Sequence, residues 1–180
     1  MMNPKIGIQH VGLTVHNLDE AVRWFHDALG FDEIFREDPI EIQTEHWSHA
    51  LDVPIGTKLE GVALIGNGIG CEIELFQYRA SAARRERPRN FDNGGHHLAL
   101  QVRDISSAAA ALVKFGTEPL GGIKDNPDGP WEGADWIYMK TPFGLYVELI
   151  ELPKGGVGYE RRTSRSIHRP TPNLRSEGAG

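Results

Sequence analysis

The stretch IQHVGLTVHNLDEAV (8–22) returns as GHHLALQVRDISSAA (95–109), and each copy leads to a carboxylate-bearing strand, CEIELFQY (71–78) and GLYVELIEL (144–152). Superposed, His10 falls on His97, Val15 on Val102, Leu18 on Ile105, Ala21 on Ala108 and Glu74 on Glu148. Internal similarity of this kind marks one supersecondary unit used twice. Each use supplies one imidazole and one carboxylate.

The local grammar of the two copies agrees. Residues 6–15 alternate, with Gln9, Val11, Leu13 and Val15 on one face and Ile8, His10, Gly12 and Thr14 on the other. The apolar face packs under a helix, which leaves His10 among small residues on the open side. Asn17 caps the following helix, Glu20 completes a capping-box pattern, and Gly30 ends it. Ala21, Val22, Trp24, Phe25, Ala28 and Leu29 make its apolar stripe. In the second copy Leu98, Leu100 and Val102 face the helix and His97, Ala99 and Gln101 face away. Asp104 replaces Asn17, and Ala108, Ala111, Leu112 and Phe115 precede the stop at Gly116.

Strand candidates follow each helix: Phe31–Phe35, Gly61–Ile65 and Cys71–Tyr78, then Trp136–Met139 and Leu145–Glu151. The unit is therefore βαβββ, and the chain an α+β protein of two tandem modules, 6–79 and 95–152. A linker covers 80–94 and a tail 153–180. His10 and Glu74 lie 64 positions apart but His97 and Glu148 only 51, so the first module carries 13 extra residues. They fall near 36–57, around His46, Trp47 and His49, where an irregular functional loop is expected. The tail from Gly155, rich in Arg, Ser, Pro and Gly, is expected to be loosely ordered.

Composition narrows the partners. At 180 residues with 39% hydrophobic content the chain can bury a core, and a net charge of −6 argues against nucleic acid and anionic membranes. A single cysteine, Cys71, excludes an internal disulfide and suits a reducing compartment. No signal-peptide pattern or membrane-length apolar run is present, so a cytoplasmic protein is expected.

A carboxylate at the centre of an apolar strand is costly to bury unless paired or bound to a cation. Taken singly, Glu74 and Glu148 suit a half-exposed sheet, and His10 and His97 suit hydrogen-bonded histidines. Four such residues at equivalent repeat positions point instead to a site for one divalent ion, with His10, Glu74, His97 and Glu148 as ligands. Imidazole and carboxylate without thiolate suit Ni, Co, Zn, Mn or Fe(II).

HVGLTV (10–15), LDEAVRWFHDALGF (18–31), IEL (73–75), GHHLAL (95–100) and TPFGLYVELIEL (141–152), taken in that order, resemble the vicinal oxygen chelate superfamily. Glyoxalase I, bleomycin-resistance proteins and extradiol dioxygenases belong to it. The resemblance spans about residues 6–152. It implies curved, cup-like mixed sheets with the helices outside, and the same four metal ligands. The His/Glu/His/Glu set is similar to that of glyoxalase I, and one residue from that of methylmalonyl-CoA epimerase.

By that resemblance the function is a metal-dependent lyase, isomerase or epimerase acting on a small substrate with adjacent oxygens. A metal-stabilised enolate carries the proton transfer, with Glu148 the first choice as base and Glu74 the second. Two alternatives stand beside it. One is an Fe(II) extradiol-type dioxygenase using His10, His97 and Glu148; the other is a non-catalytic small-molecule binding or resistance protein. Superfamily members build the site within one chain or across a homodimer.

Four further features are weaker. Arg84, Arg85, Arg87 and Arg89 suit a solvated linker better than an anion-binding arm. His96 reads as structural. Trp47, His49, Trp131 and Trp136 either line a pocket or simply pack. KDNPDGPWEGADW (124–136) is a candidate lid.

Overall fold

The computed structural model describes residues 7–81, 83 and 86–164. The chain divides into two compact units whose boundary falls between Arg84 and Arg85. The first contains β1 (His10–Thr14), α1 (Leu18–Leu29), β2 (Asp32–Glu37), β3 (Ile40–Glu41), α2 (Glu45–Leu51), β4 (Lys58–Gly66) and β5 (Glu72–Arg79). The second contains β6 (His97–Val102), α3 (Ile105–Lys114), β7 (Glu118–Pro119), β8 (Lys124–Asp125), β9 (Asp135–Lys140), β10 (Tyr146–Glu151) and α4 (Gly158–Arg162).

Each unit is an open mixed sheet with helices at its periphery, and the two sheets share one topology. Strand order is β1-β5-β4-β2 in the first and β6-β10-β9-β7 in the second. The short strands β3 and β8 continue the edges set by β2 and β7 along β4 and β9. With each interrupted edge counted as one strand, both modules are βαβββ. In both the opening strand pairs in parallel with the closing one: Gly12 lies opposite Glu74, and Ala99 opposite Glu148. The His thus sits two residues before the partner of the Glu in each module.

Strand alternation divides the faces. Ile73 and Leu75 of β5, and Val147 and Leu149 of β10, are buried on the helix side. Glu72, Glu74 and Phe76, like Tyr146 and Glu148, take the opposite side. Leu18, Ala21, Trp24 and Phe25 of α1 pack in the first core, with Trp24 and Phe31 edge-on to Phe25. Asn17 accepts from the Glu20 N–H and Asp104 from the Ser107 N–H, and Gly30 ends α1 with φ 66°. These caps match the sequence reading.

Several expectations are corrected. The extra residues of the first module are not an irregular loop: they carry α2, capped by Thr44 and stopped by Asp52 at φ 51°. The stripe of α3 is narrower than expected, with Ile105 and Leu112 buried but Ala111 and Phe115 exposed. Gln9 does not face the helix, because it precedes β1 and escapes the strand's alternation. The region after Gly155 is not loose throughout, since Val157 is fully buried and α4 follows it. Residues 165–180 of the expected tail lie outside the described residues. Among the described residues no helix is long and apolar enough to cross a membrane.

Candidate metal centre

The four sequence candidates form two pairs, one in each unit. In the first, His10 Nε2 lies 3.4 Å from Glu74 Oε2; in the second, His97 Nε2 lies 3.1 Å from Glu148 Oε2. Among the described residues no three His, Cys, Asp or Glu side chains gather at metal-binding distance. Two ligands of one ion, each about 2.1 Å from it, stand roughly 3.0 Å apart at right angles and roughly 3.4 Å apart at the tetrahedral angle. Both pairs match that spacing. Small neighbours keep the sites open, since Gly12 and Ala99 lie directly opposite the carboxylates.

The first pair has a further mark of a ligand. Gln9 Nε2 donates to Glu72 Oε2 at 3.2 Å, which orients its amide so that Oε1 faces His10 Nδ1 at 2.5 Å. An amide oxygen only accepts, so Nδ1 carries the proton. Nε2 then presents a lone pair toward an acceptor oxygen, and only a proton or a cation between them makes the contact favourable. Outer hydrogen bonds of this kind fix the tautomer of metal-binding histidines. The donor set therefore fits a divalent ion.

The second pair is the drier. Burial pushes the Glu148 carboxyl up, and His97 partly offsets this. Burial, then the neighbouring Glu148 carboxylate, raises the Tyr138 phenol; burial and Glu74 do the same to Tyr78. Both tyrosines therefore stay neutral donors. Tyr138 lies opposite Glu148 in the β9–β10 ladder, and its ring meets His97 edge-on at 5.0 Å.

A cavity of about 210 Å³ opens beside Glu148, lined also by Asn126, Trp131, Trp136, Tyr138 and Ile150. Trp131 and Trp136 thus line a pocket. Tyr138 went unnoticed in the sequence, although Trp136 and Tyr138 alternate on a strand that has to face the Glu148 strand.

Other candidates fall away. Arg89 pairs with Asp92 at 3.6 Å and lies over the Phe91 ring, while Arg87 is half-buried. Neither is a free anion-binding arm, and Arg84 and Arg85 lie outside the described residues. The His96 ring meets the Gly94 carbonyl at 3.1 Å. Trp47 and His49 sit on the exposed α2, where Trp47 touches His46.

The sequence also hid a structural pair three residues beyond the two glutamates. Gln77 Oε1 accepts from the Leu18 N–H at 2.7 Å, and Glu151 Oε2 accepts from the Ile105 N–H at 2.8 Å. The closing strand of each module thus caps the helix that follows its opening strand. Carrying the Glu74–Glu148 match three residues further would have found the pair.

Residues 7–149 match the model of the Glyoxalase/Bleomycin resistance protein/Dioxygenase superfamily. The chain belongs to this superfamily. A 2-epi-5-epi-valiolone epimerase of Actinomyces sp is 36% identical over 92% of the chain and 89% of its own length. Among solved structures, a glyoxalase family protein from Bacillus cereus aligns with TM-score 0.65 and 21% identity, over 83% of this chain and 95% of that one. A fosfomycin resistance protein from Listeria monocytogenes, complexed with Mn(II) and sulfate, aligns with TM-score 0.52 and 14% identity, over 83% and 95%. At these identities the two structures share the superfamily fold.

Proposed function

We propose that the chain is a divalent-metal-dependent epimerase acting on a small hydroxyketone, with His10, Glu74, His97 and Glu148 serving one ion. The observation that carries this reading is the repeated pair. The same imidazole and carboxylate recur at the same ladder offset, 3.4 and 3.1 Å apart, with Gln9 Oε1 held 2.5 Å from His10 Nδ1. Whether one chain or two copies in a homodimer supply both pairs, each module contributes half of the ligands. The Mn(II) held by the Listeria relative, and the reaction in the name of the Actinomyces relative, support the same chemistry.

A divalent ion bound there supplies Lewis-acid stabilisation of the negative charge that develops on the substrate's carbonyl oxygen. The protein's own part is proton transfer. The Glu148 carboxylate removes the proton from the carbon beside the carbonyl, and the electron pair moves onto the carbonyl oxygen. Return of a proton to the opposite face restores the ketone with that carbon inverted; Glu74, once it has taken a proton from solvent, is the second carboxyl able to deliver it, and the proton on Glu148 returns to solvent. The Tyr138 phenol beside Glu148 keeps a donor at the site, and the aromatic walls limit water.

The test uses 2-epi-5-epi-valiolone in D2O with the protein loaded in turn with Mn, Co, Ni, Zn or Fe(II). Expected are stoichiometric metal and deuterium entering at the carbon beside the carbonyl. Glu148→Gln should abolish that exchange with the circular dichroism spectrum unchanged. Full exchange in Glu148→Gln would remove Glu148 from the mechanism. Absence of bound metal would favour a sequestering protein, and oxygen-dependent catechol cleavage with Fe(II) a dioxygenase.

A further inference from the structure

The modules depart from their repeat where an asymmetric substrate would be read. Leu64 and Val62 lie opposite Glu74 and Phe76; the matching positions opposite Glu148 and Ile150 are Tyr138 and Trp136. Where the first module runs from β3 to β4 through α2, the second connects β8 to β9 by a shorter loop, residues 126–134, which brings Trp131 to the Glu148 cavity. Trp131 keeps 45% of its surface exposed, although it stands in a wall beside a carboxylate.

That loop is braced from outside the repeat. The Tyr159 N–H donates to Pro130 O at 2.7 Å, and the Tyr159 ring meets the Trp131 ring edge-on at 5.0 Å. Arg161 pairs with Glu132 at 2.9 Å. Val157 forms a small core with Ala134 and Ile150, against which Tyr159 packs. Within the loop the Gly133 N–H donates to Asn126 O and the Ala134 N–H to Trp131 O. Asn126 Nδ2 donates to Ala134 O, which leaves its Oδ1 as an acceptor. These contacts brace the loop against α4.

We propose that Trp131 is a specificity-determining residue, held by α4 through Tyr159 as a positioning residue, and that it stacks on the C–H face of a ring-sized polyhydroxylated ketone. A cavity of about 210 Å³ has room for a ring-sized ligand. Such a ring is apolar on its C–H faces and polar at its rim. The cavity mirrors it, with indole and phenol rings on the walls, and Glu148 and Asn126 for the rim. An aromatic wall already locked in place loses little freedom on binding. The proposal rests on the reading of Glu148 as a ligand in the metal site.

The test measures binding of 2-keto-myo-inositol to the Mn(II)-loaded full chain by calorimetry, with metal stoichiometry determined in parallel. Trp131→Ala should weaken binding at least tenfold with metal stoichiometry unchanged, and Trp131→Phe should recover most of it. Tyr159→Ala should raise the dissociation constant several-fold, and Tyr159→Phe, which keeps the ring edge, should restore it. Equal affinity in wild type and Trp131→Ala, with full metal loading, would overturn the wall and leave the metal site standing. No binding to wild type, or catechol bound more tightly in a Trp131-dependent way, would overturn the substrate class. Loss of metal from the wild-type protein would instead sink the metal-site reading beneath it.

Discussion

Replacing Gly158 by alanine sets a methyl group against the backbone of the pocket loop. A Cβ there would stand 2.1 Å from Gly129 O and 3.2 Å from both Gly129 C and Pro130 O. Carbon–oxygen contacts settle near 3.3 Å, so the loop and α4 have to part by about 1 Å. That opens the 2.7 Å bond from the Tyr159 N–H to Pro130 O beyond hydrogen-bonding range, a loss of about 1 kcal/mol. The edge-on Trp131–Tyr159 contact contributes about another 1 kcal/mol. Helix propensity acts the other way, favouring alanine by up to about 1 kcal/mol. The net expectation is a loss of about 1–2 kcal/mol, read as a fall in Tm of roughly 2–8 °C. Thermal denaturation measures the total, and amide hydrogen exchange locates it: Tyr159 and Gly133 should lose protection while the β10 amides keep theirs. A Gly158→Ala protein that melts higher than wild type, with the Tyr159 amide still protected, would refute the clamp.

Two further outcomes test how the modules are built. Glu151→Ala leaves the Ile105 N–H without its charged acceptor and should cost about 2 kcal/mol; Gln77→Ala removes the bond from the Leu18 N–H together with the Gln77 Nε2 donation to Glu60 Oε2 at 2.7 Å, and should cost about 2 kcal/mol as well, and urea denaturation that finds either variant as stable as wild type would undo the capping argument. The Asp104 carboxyl is held below the usual range because it accepts from the Ser107 N–H and hydroxyl. Its contribution is therefore complete above the unfolded value near ~3.9, and is lost as pH falls through the lower folded value. Asp104→Asn should flatten the acid limb of the stability curve, and an unchanged limb would contradict this assignment.

Much of this was legible because local rules and tertiary structure agree. The parity of β1 placed His10, Gly12 and Thr14 on one face and Leu13 and Val15 in the core. Asn17, Asp104 and Gly30 announced helix ends by chemistry that acts within a few residues. What escaped was held by distant partners. The two-residue strands β7 and β8 carry no period of their own and exist only as ladders on β9. The Gly/Arg-rich region after Gly155 reads as loose, yet Val157 is fully buried because Ala134 and Ile150 receive it.

From the sequence alone came the duplicated βαβββ unit, the four candidate ligands at equivalent positions, and the faces they occupy. Those follow from repetition and strand parity, which one dimension records. The tertiary structure decided which neighbours the candidates meet: Gln9 turned aside to fix the His10 tautomer, Tyr138 and Trp136 across the ladder from Glu148 and Ile150, and α4 braced against the Trp131 loop. Contacts between residues far apart in the chain leave no periodic trace. The repeat therefore names the candidate ligands, and the departures from it shape the pocket.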